Sequence, residues 1–141
     1  MLRVIQSSRT DAVVPPVGIS PAVLVVDPNE DCARSLAELL ECCGYSVSAA
    51  IDGRMALALA DPPPDIIITE LILPDLDGYE LVRTLRERAG TKRQLIIAVT
   101  ARQREEKQKG AVRPDLYYLK PADPRVLLPA LARFSRGLAP S

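Results

Sequence analysis

Four polar residues stand at the ends of short aliphatic runs. Asp27 follows Val23-Leu24-Val25-Val26, and Glu70 comes two residues after Ile66-Ile67-Ile68. Thr100 follows Leu95-Ile96-Ile97-Ala98-Val99, and Lys120 follows Leu116-Tyr117-Tyr118-Leu119. Two acids, a hydroxyl and an ammonium gathered around one hollow suit an oxyanion and a hard cation. Carboxylates hold Mg²⁺, while a hydroxyl and an ammonium bind phosphoryl oxygens. That chemistry requires the four residues to converge, which depends on the elements that carry them.

The runs read as strands, five in all when Ser46-Val47-Ser48-Ala49 is added. Three are continuously apolar, as strands covered on both faces by crossover helices must be, and this predicts a parallel sheet. The run over 46–50 alternates polar and apolar, which predicts a strand at the sheet edge. Between the runs, apolar residues recur at helical spacing. Leu36, Leu39, Leu40 and Cys43 precede Gly44; Met55, Leu57, Ala58 and Leu59 precede Pro62-Pro63-Pro64; Leu81, Val82 and Leu85 lead to Gly90. Val126, Leu127, Leu131 and Phe134 mark a last helix, with Asp123 as N-cap, Pro124 at its first position and Gly137 at its exit. Strand and helix alternating with right-handed crossovers predict a doubly wound α/β domain. In such a sheet the ligand site lies outside the carboxyl ends of the strands, so Asp27, Glu70, Thr100 and Lys120 are expected to share one pocket.

A chain of 141 residues has room for one core. Hydrophobic residues make up 48% and aromatics only 4%, so that core is aliphatic. Residues 1–20 lack periodicity and read as a flexible tail, 21–137 as the domain, and 138–141 as a C-terminal tail. Lys plus Arg and Asp plus Glu balance at 18 each, leaving no global field to attract nucleic acid or an anionic membrane. No apolar run is long enough to span a bilayer, and Met1 to Ser20 does not resemble a secretory signal, so the expected location is the cytoplasm and the expected partner another protein or a second copy. Cys32, Cys42 and Cys43 fall in one predicted helix with no histidine to complete a zinc site, and read as small buried or half-buried hydrophobes.

Four segments carry a more specific likeness: Val-Leu-Val-Val-Asp at 23–27, Leu-Pro-Asp-Leu-Asp-Gly-Tyr-Glu-Leu at 73–81, Val-Thr-Ala at 99–101 and Tyr-Leu-Lys-Pro at 118–121. Over residues 22–136 the chain resembles a stand-alone receiver domain of the response regulators. The resemblance implies a flavodoxin-like five-stranded sheet of order 2-1-3-4-5 with helices on both faces. It also implies a pocket where an aspartate takes a phosphoryl group from a histidine kinase with Mg²⁺ held by neighbouring acids. By that likeness Asp27 is the first acid, Thr100 the hydroxyl residue, Lys120 the lysine and Tyr117 the aromatic that changes rotamer on activation.

Two positions depart from the pattern. Pro28 stands where the second acid belongs, and Glu70 stands at the phosphoacceptor. Proline offers no side-chain oxygen to Mg²⁺, so metal binding is expected to be weak or lost and no cofactor is expected. Glu70 extends its carboxylate by one methylene, and misplacement of about 1 Å costs on the order of a hundredfold in an in-line reaction. The sequence therefore predicts a receiver that works without phosphorylation and is not an enzyme. Glu70 either imitates the phosphorylated state or forms a passive ion pair with Lys120.

Two rival readings compete with this one. A receiver that still catalyses its own phosphorylation, on Glu70 or another acid, is the first; Glu30 and Asp31 suit the dipole at the first turn of their helix, with a replacement metal role for Glu30 the lesser reading. A flavodoxin-like cofactor carrier is the second, but the loop Asp27-Pro28-Asn29-Glu30-Asp31 is acidic and lacks the glycines of a phosphate cradle. Asp75 and Asp77 read as loop-shaping residues, and Tyr118 is expected to face opposite to Tyr117. The stretch 102–109 contains no apolar residue, which predicts a short, exposed, mobile helix or loop.

Overall fold

Strands whose residues are aliphatic on both faces need cover on both faces, and the chain supplies it by alternating strand and helix. The computed structural model describes residues 13–101 and 113–138. Its strands are β1 (Ala22–Val26), β2 (Ser46–Ala50), β3 (Ile66–Thr69), β4 (Leu95–Thr100) and β5 (Leu116–Leu119). The helices among the described residues are α1 (Glu30–Cys42), α2 (Gly53–Leu59), α3 (Gly78–Ala89) and α4 (Pro124–Arg136). All strand pairs are parallel, in the order β2-β1-β3-β4-β5, which is the flavodoxin-like sheet that the sequence predicts.

Alternate residues of each strand feed two cores. Val23, Val25, Ile66, Ile68, Ile97 and Val99 pack with Ala33 and Leu40 of α1 and with Leu127, Leu131 and Phe134 of α4. Leu24, Val26, Ile67 and Ile96 face the other way, against Ala56 of α2 and Leu81, Val82 and Leu85 of α3. Successive strand residues point to opposite faces, so one aliphatic run serves both layers. β2 lies at the edge, and its exposed Ser46 and Ser48 alternate with half-buried Val47 and Ala49 as expected.

Each helix begins at a side-chain cap. Asn29, Asp52, Asp77 and Asp123 accept backbone N–H bonds from Cys32, Met55, Tyr79 and Arg125 respectively. Asp77 is therefore a cap, as its loop-shaping reading implied. Gly78 beside it has no alternative, because a Cβ there would lie against the Cα and carbonyl oxygen of Leu71, closer than real Cβ atoms come. Gly78→Ala is expected to cost about 2 kcal/mol by displacing that backbone. Urea unfolding checks this, and an unchanged midpoint would mean that the loop gives way freely.

Some side chains lie elsewhere than periodicity suggests. α2 buries Gly53 and Ala56, while Met55 and Leu59 are exposed. Small residues let this short helix sit close to the sheet, and the larger ones are left outside. Val126 is likewise exposed at the start of α4. The cysteines correct another expectation: Cys32 and Cys42 are exposed and only Cys43 is half-buried. α1 turns Ala33, Ala37 and Leu40 inward, and Cys32 lies one helical step off that face. Burial, and then the neighbouring Cys42, push the Cys43 thiol above its ordinary value. The expected tail over 1–20 falls mainly on residues 1–12, outside the described residues. Within the described part, Pro15 is buried and the Ser20 hydroxyl donates to the Gly44 carbonyl at 3.0 Å. The stretch 102–109 also lies outside the described residues.

Candidate functional site

The parallel ladders run one residue past the strand ends and set the pocket residues side by side. The amide of Asp27 donates to the Ala50 carbonyl at 3.0 Å, and that of Glu70 to the Val26 carbonyl at 2.9 Å. On the other side the Lys120 amide donates to the Thr100 carbonyl at 2.9 Å. Asp27, Glu70, Thr100 and Lys120 thus meet at the carboxyl end of the sheet, where the order of winding reverses.

Lys120 joins the two acids. Its Nζ lies 2.8 Å from Asp27 Oδ2 and 3.3 Å from Glu70 Oε1. Asp27 Oδ1 is meanwhile occupied by the Asn29 N–H at 2.9 Å, which holds the carboxylate in place. Glu70 is 6% exposed, and such a carboxylate persists as an anion only when its oxygens are bonded. Its Oε2 accepts the N–H groups of Leu71 at 2.6 Å and Ile72 at 3.1 Å. The Thr100 hydroxyl bonds to the same carboxyl group.

Burial alone would raise the Glu70 pKa. The Thr100 hydroxyl, the two amides and Lys120 outweigh it, and the carboxyl is held below its ordinary value. Lys120 shows the complementary balance: desolvation favours its neutral form, but Asp27 first and Glu70 second raise its pKa. Both shifts favour the charged forms, a Glu70 carboxylate facing a Lys120 ammonium.

This donor set does not fit a magnesium ion. Pro28 is exposed and has no side-chain oxygen to offer. Asp27 Oδ2 and Glu70 Oε1 both face the Lys120 ammonium, whose positive charge repels a cation. Among the described residues no cluster of three His, Cys, Asp or Glu side chains is arranged to hold a metal. Glu30, weighed in the sequence as a replacement ligand, instead pairs with Arg34 one turn along α1 at 3.4 Å.

The loop between β3 and α3 closes the pocket. Asp75 accepts the N–H groups of Gly53 and Arg54, both at 2.8 Å, which fastens the loop to the start of α2. Asp75 is held below its ordinary pKa because these two bonds outweigh its desolvation. An antiparallel bridge between Ile72 and Asp77 completes the loop. At the edge of the sheet Tyr117 is half-buried, and its hydroxyl donates to the Tyr79 hydroxyl of α3 at 3.2 Å. Tyr118 packs into the opposite core, as the strand period requires.

Sequence reasoning placed the four pocket residues and Tyr117, but missed Tyr79 and the two amides that hold Glu70. Tyr79 follows the Asp-Gly pair of the 73–81 segment, so its position at the start of a helix was readable, whereas its reach across to β5 was not.

Comparison with known proteins agrees with this geometry. The model of the response regulator receiver domain matches residues 23–132. The chain is 34% identical to Protein PilG of Pseudomonas aeruginosa over 112 residues, covering 77% of this chain and 83% of that protein. It is 31% identical over 121 residues to an uncharacterized 14.6 kDa protein of Leptolyngbya boryana, covering 84% and 92%. The transcriptional regulatory protein PhoP of Bacillus subtilis is 37% identical over 125 residues, and the chain spans only 51% of its length. Among solved structures, the chemotaxis response regulator CheY4 of Vibrio cholerae superposes with a TM-score of 0.69 at 31% identity, covering 82% of this chain and 99% of CheY4. A match over most of the chain, on the same sheet order, makes this protein a member of the response regulator receiver domain family, which acts in two-component signalling through contacts with other proteins.

Proposed function

We propose that this receiver signals without being phosphorylated, with the Glu70 carboxylate held where an ordinary receiver would bind phosphoryl oxygens. One observation carries the reading: Lys120 bonds Asp27 and Glu70 together, at 2.8 and 3.3 Å, and so closes the pocket on an anion that belongs to the chain itself. Thr100 supports it by bonding the same carboxyl. The output is then protein binding, with Glu70 imitating the phosphorylated state rather than serving as a phosphoacceptor.

Incubation with acetyl phosphate and Mg²⁺ followed by intact mass measurement is expected to show no phosphoryl adduct. An adduct on Glu70 or on any other acid would overturn the reading. Glu70→Gln keeps the side-chain size and removes its charge, and is expected to lose the partner that the wild type retains in a pull-down. Retention by this variant would make the Glu70 pair with Lys120 purely structural.

A further inference from the structure

β5 carries Tyr117 and Tyr118 in succession, and the pleat sends their rings to opposite faces. Tyr118 packs into the core shared with α1 and α4, which leaves Tyr117 the α3 face. In register, Tyr117 stands beside Ala98 of β4, and Ala98 beside Thr69 of β3. Both neighbours are small, so no bulky side chain of the sheet separates the Tyr117 ring from α3. There its hydroxyl meets that of Tyr79, 3.2 Å away, and both residues are half-buried.

Tyr79 is also joined, through the main chain, to the Glu70 carboxylate. Glu70 Oε2 accepts the Leu71 N–H at 2.6 Å, and the Leu71 carbonyl accepts the Gly78 N–H at 3.1 Å. Tyr79 is the next residue, its own N–H held by Asp77 Oδ1 at 2.8 Å. Each step is stiff. Gly78 lies against the Leu71 backbone with no room for a Cβ, and the bridge between Ile72 and Asp77 closes the same turn. A displacement of Leu71 therefore carries Gly78 and the first turn of α3 with it. Asp75 fastens the tip of the loop to α2, so that displacement is passed toward α3 rather than absorbed at the tip.

We infer that Tyr79 is a positioning residue, which holds Tyr117 against α3 and passes to it, through the loop over 71–78, the hydrogen-bonding state of the Glu70 carboxylate. The inference rests on the reading that this carboxylate sets the signalling state, and it names the contiguous route by which that state reaches the edge strand of the sheet.

Tyr79→Phe keeps the ring and removes the hydroxyl, so it tests the bond without opening a cavity. The chain has four tyrosines, few enough for ring-labelled tyrosine to give each its own NMR signals, assigned by substitution. In Tyr79→Phe the Tyr117 ring signals are expected to shift while those of Tyr45, buried in the opposite core, stay in place; a variant that merely loosened the fold would move both. Glu70→Gln converts the charge-assisted bonds at Oε2 into neutral ones, about half as strong. It is expected to shift the Tyr117 signals in the otherwise wild-type chain and to lose most of that effect in the Tyr79→Phe background. An unmoved Tyr117 in Tyr79→Phe overturns the proposal. So does a Tyr117 that responds to Glu70→Gln equally with and without the Tyr79 hydroxyl, or that responds in neither background. A phosphoryl adduct on Glu70 would overturn the proposed function instead, and the ring signals would still decide the role of Tyr79.

Discussion

Lys120→Ala is expected to cost about 3 kcal/mol of folding stability at neutral pH, because it leaves Asp27 and the buried Glu70 facing each other without a cation. The cost also depends on pH. In the wild type the lowered Glu70 pKa contributes stability that is present above the unfolded value of about 4.3 and is lost as pH falls through the folded one. The raised Lys120 pKa contributes stability that is present below about 10.4 and is lost as pH rises through the folded value. The wild type is therefore expected to be most stable on a plateau between about pH 5 and pH 10. In the variant the penalty shrinks in acid, since protonating Glu70 removes the repulsion. Urea midpoints for both proteins from about pH 3 to pH 9 check this, and they converge at the acid end if the pocket is built as described. A penalty under about 1 kcal/mol, constant across pH, would class the pair with exposed salt bridges.

Restoring phosphorylation is expected to need two changes. Glu70→Asp alone withdraws the carboxylate from Thr100 and from the amides of Leu71 and Ile72, but Pro28 still contributes no oxygen. Glu70→Asp with Pro28→Asp supplies the missing acid, and labelling by acetyl phosphate with Mg²⁺ is expected to exceed that of the single variant by about a hundredfold. Nucleophile and metal ligands act as a unit, so the gain is not shared between the single changes. Equal labelling of single and double variants would show that position 28 is immaterial.

The sheet was legible because short aliphatic runs such as Ile66-Ile67-Ile68, spaced between helical patterns, fit strands buried on both faces, and the alternating serines of β2 fit an edge. The pocket was legible because parallel strands bring their carboxyl ends together, so residues far apart in the chain converge once the elements are identified. What escaped the sequence depends on how each element is rotated when it docks. The apolar content of α2 promised an inward Met55 and Leu59, but contact with the sheet selected Gly53 and Ala56. For the cysteines, hydrophobic character suggested burial, whereas the face of α1 was already taken by Ala33, Ala37 and Leu40. The turn of Glu70 back onto the Leu71 and Ile72 amides depends on the path of a loop, which no periodicity encodes.

The Glu70 carboxylate is joined to the main chain, so its place in the pocket has no off-rate. An acyl phosphate hydrolyses and resets its receiver within its own lifetime, and a phosphatase can shorten that time. Neither route exists for a side chain. On the proposed reading, such a receiver is not silenced by withdrawing a donor, and the duration of its signal equals the half-life of the polypeptide. Control then passes to synthesis, degradation and gene dosage, and the dose of protein in the cell becomes the message.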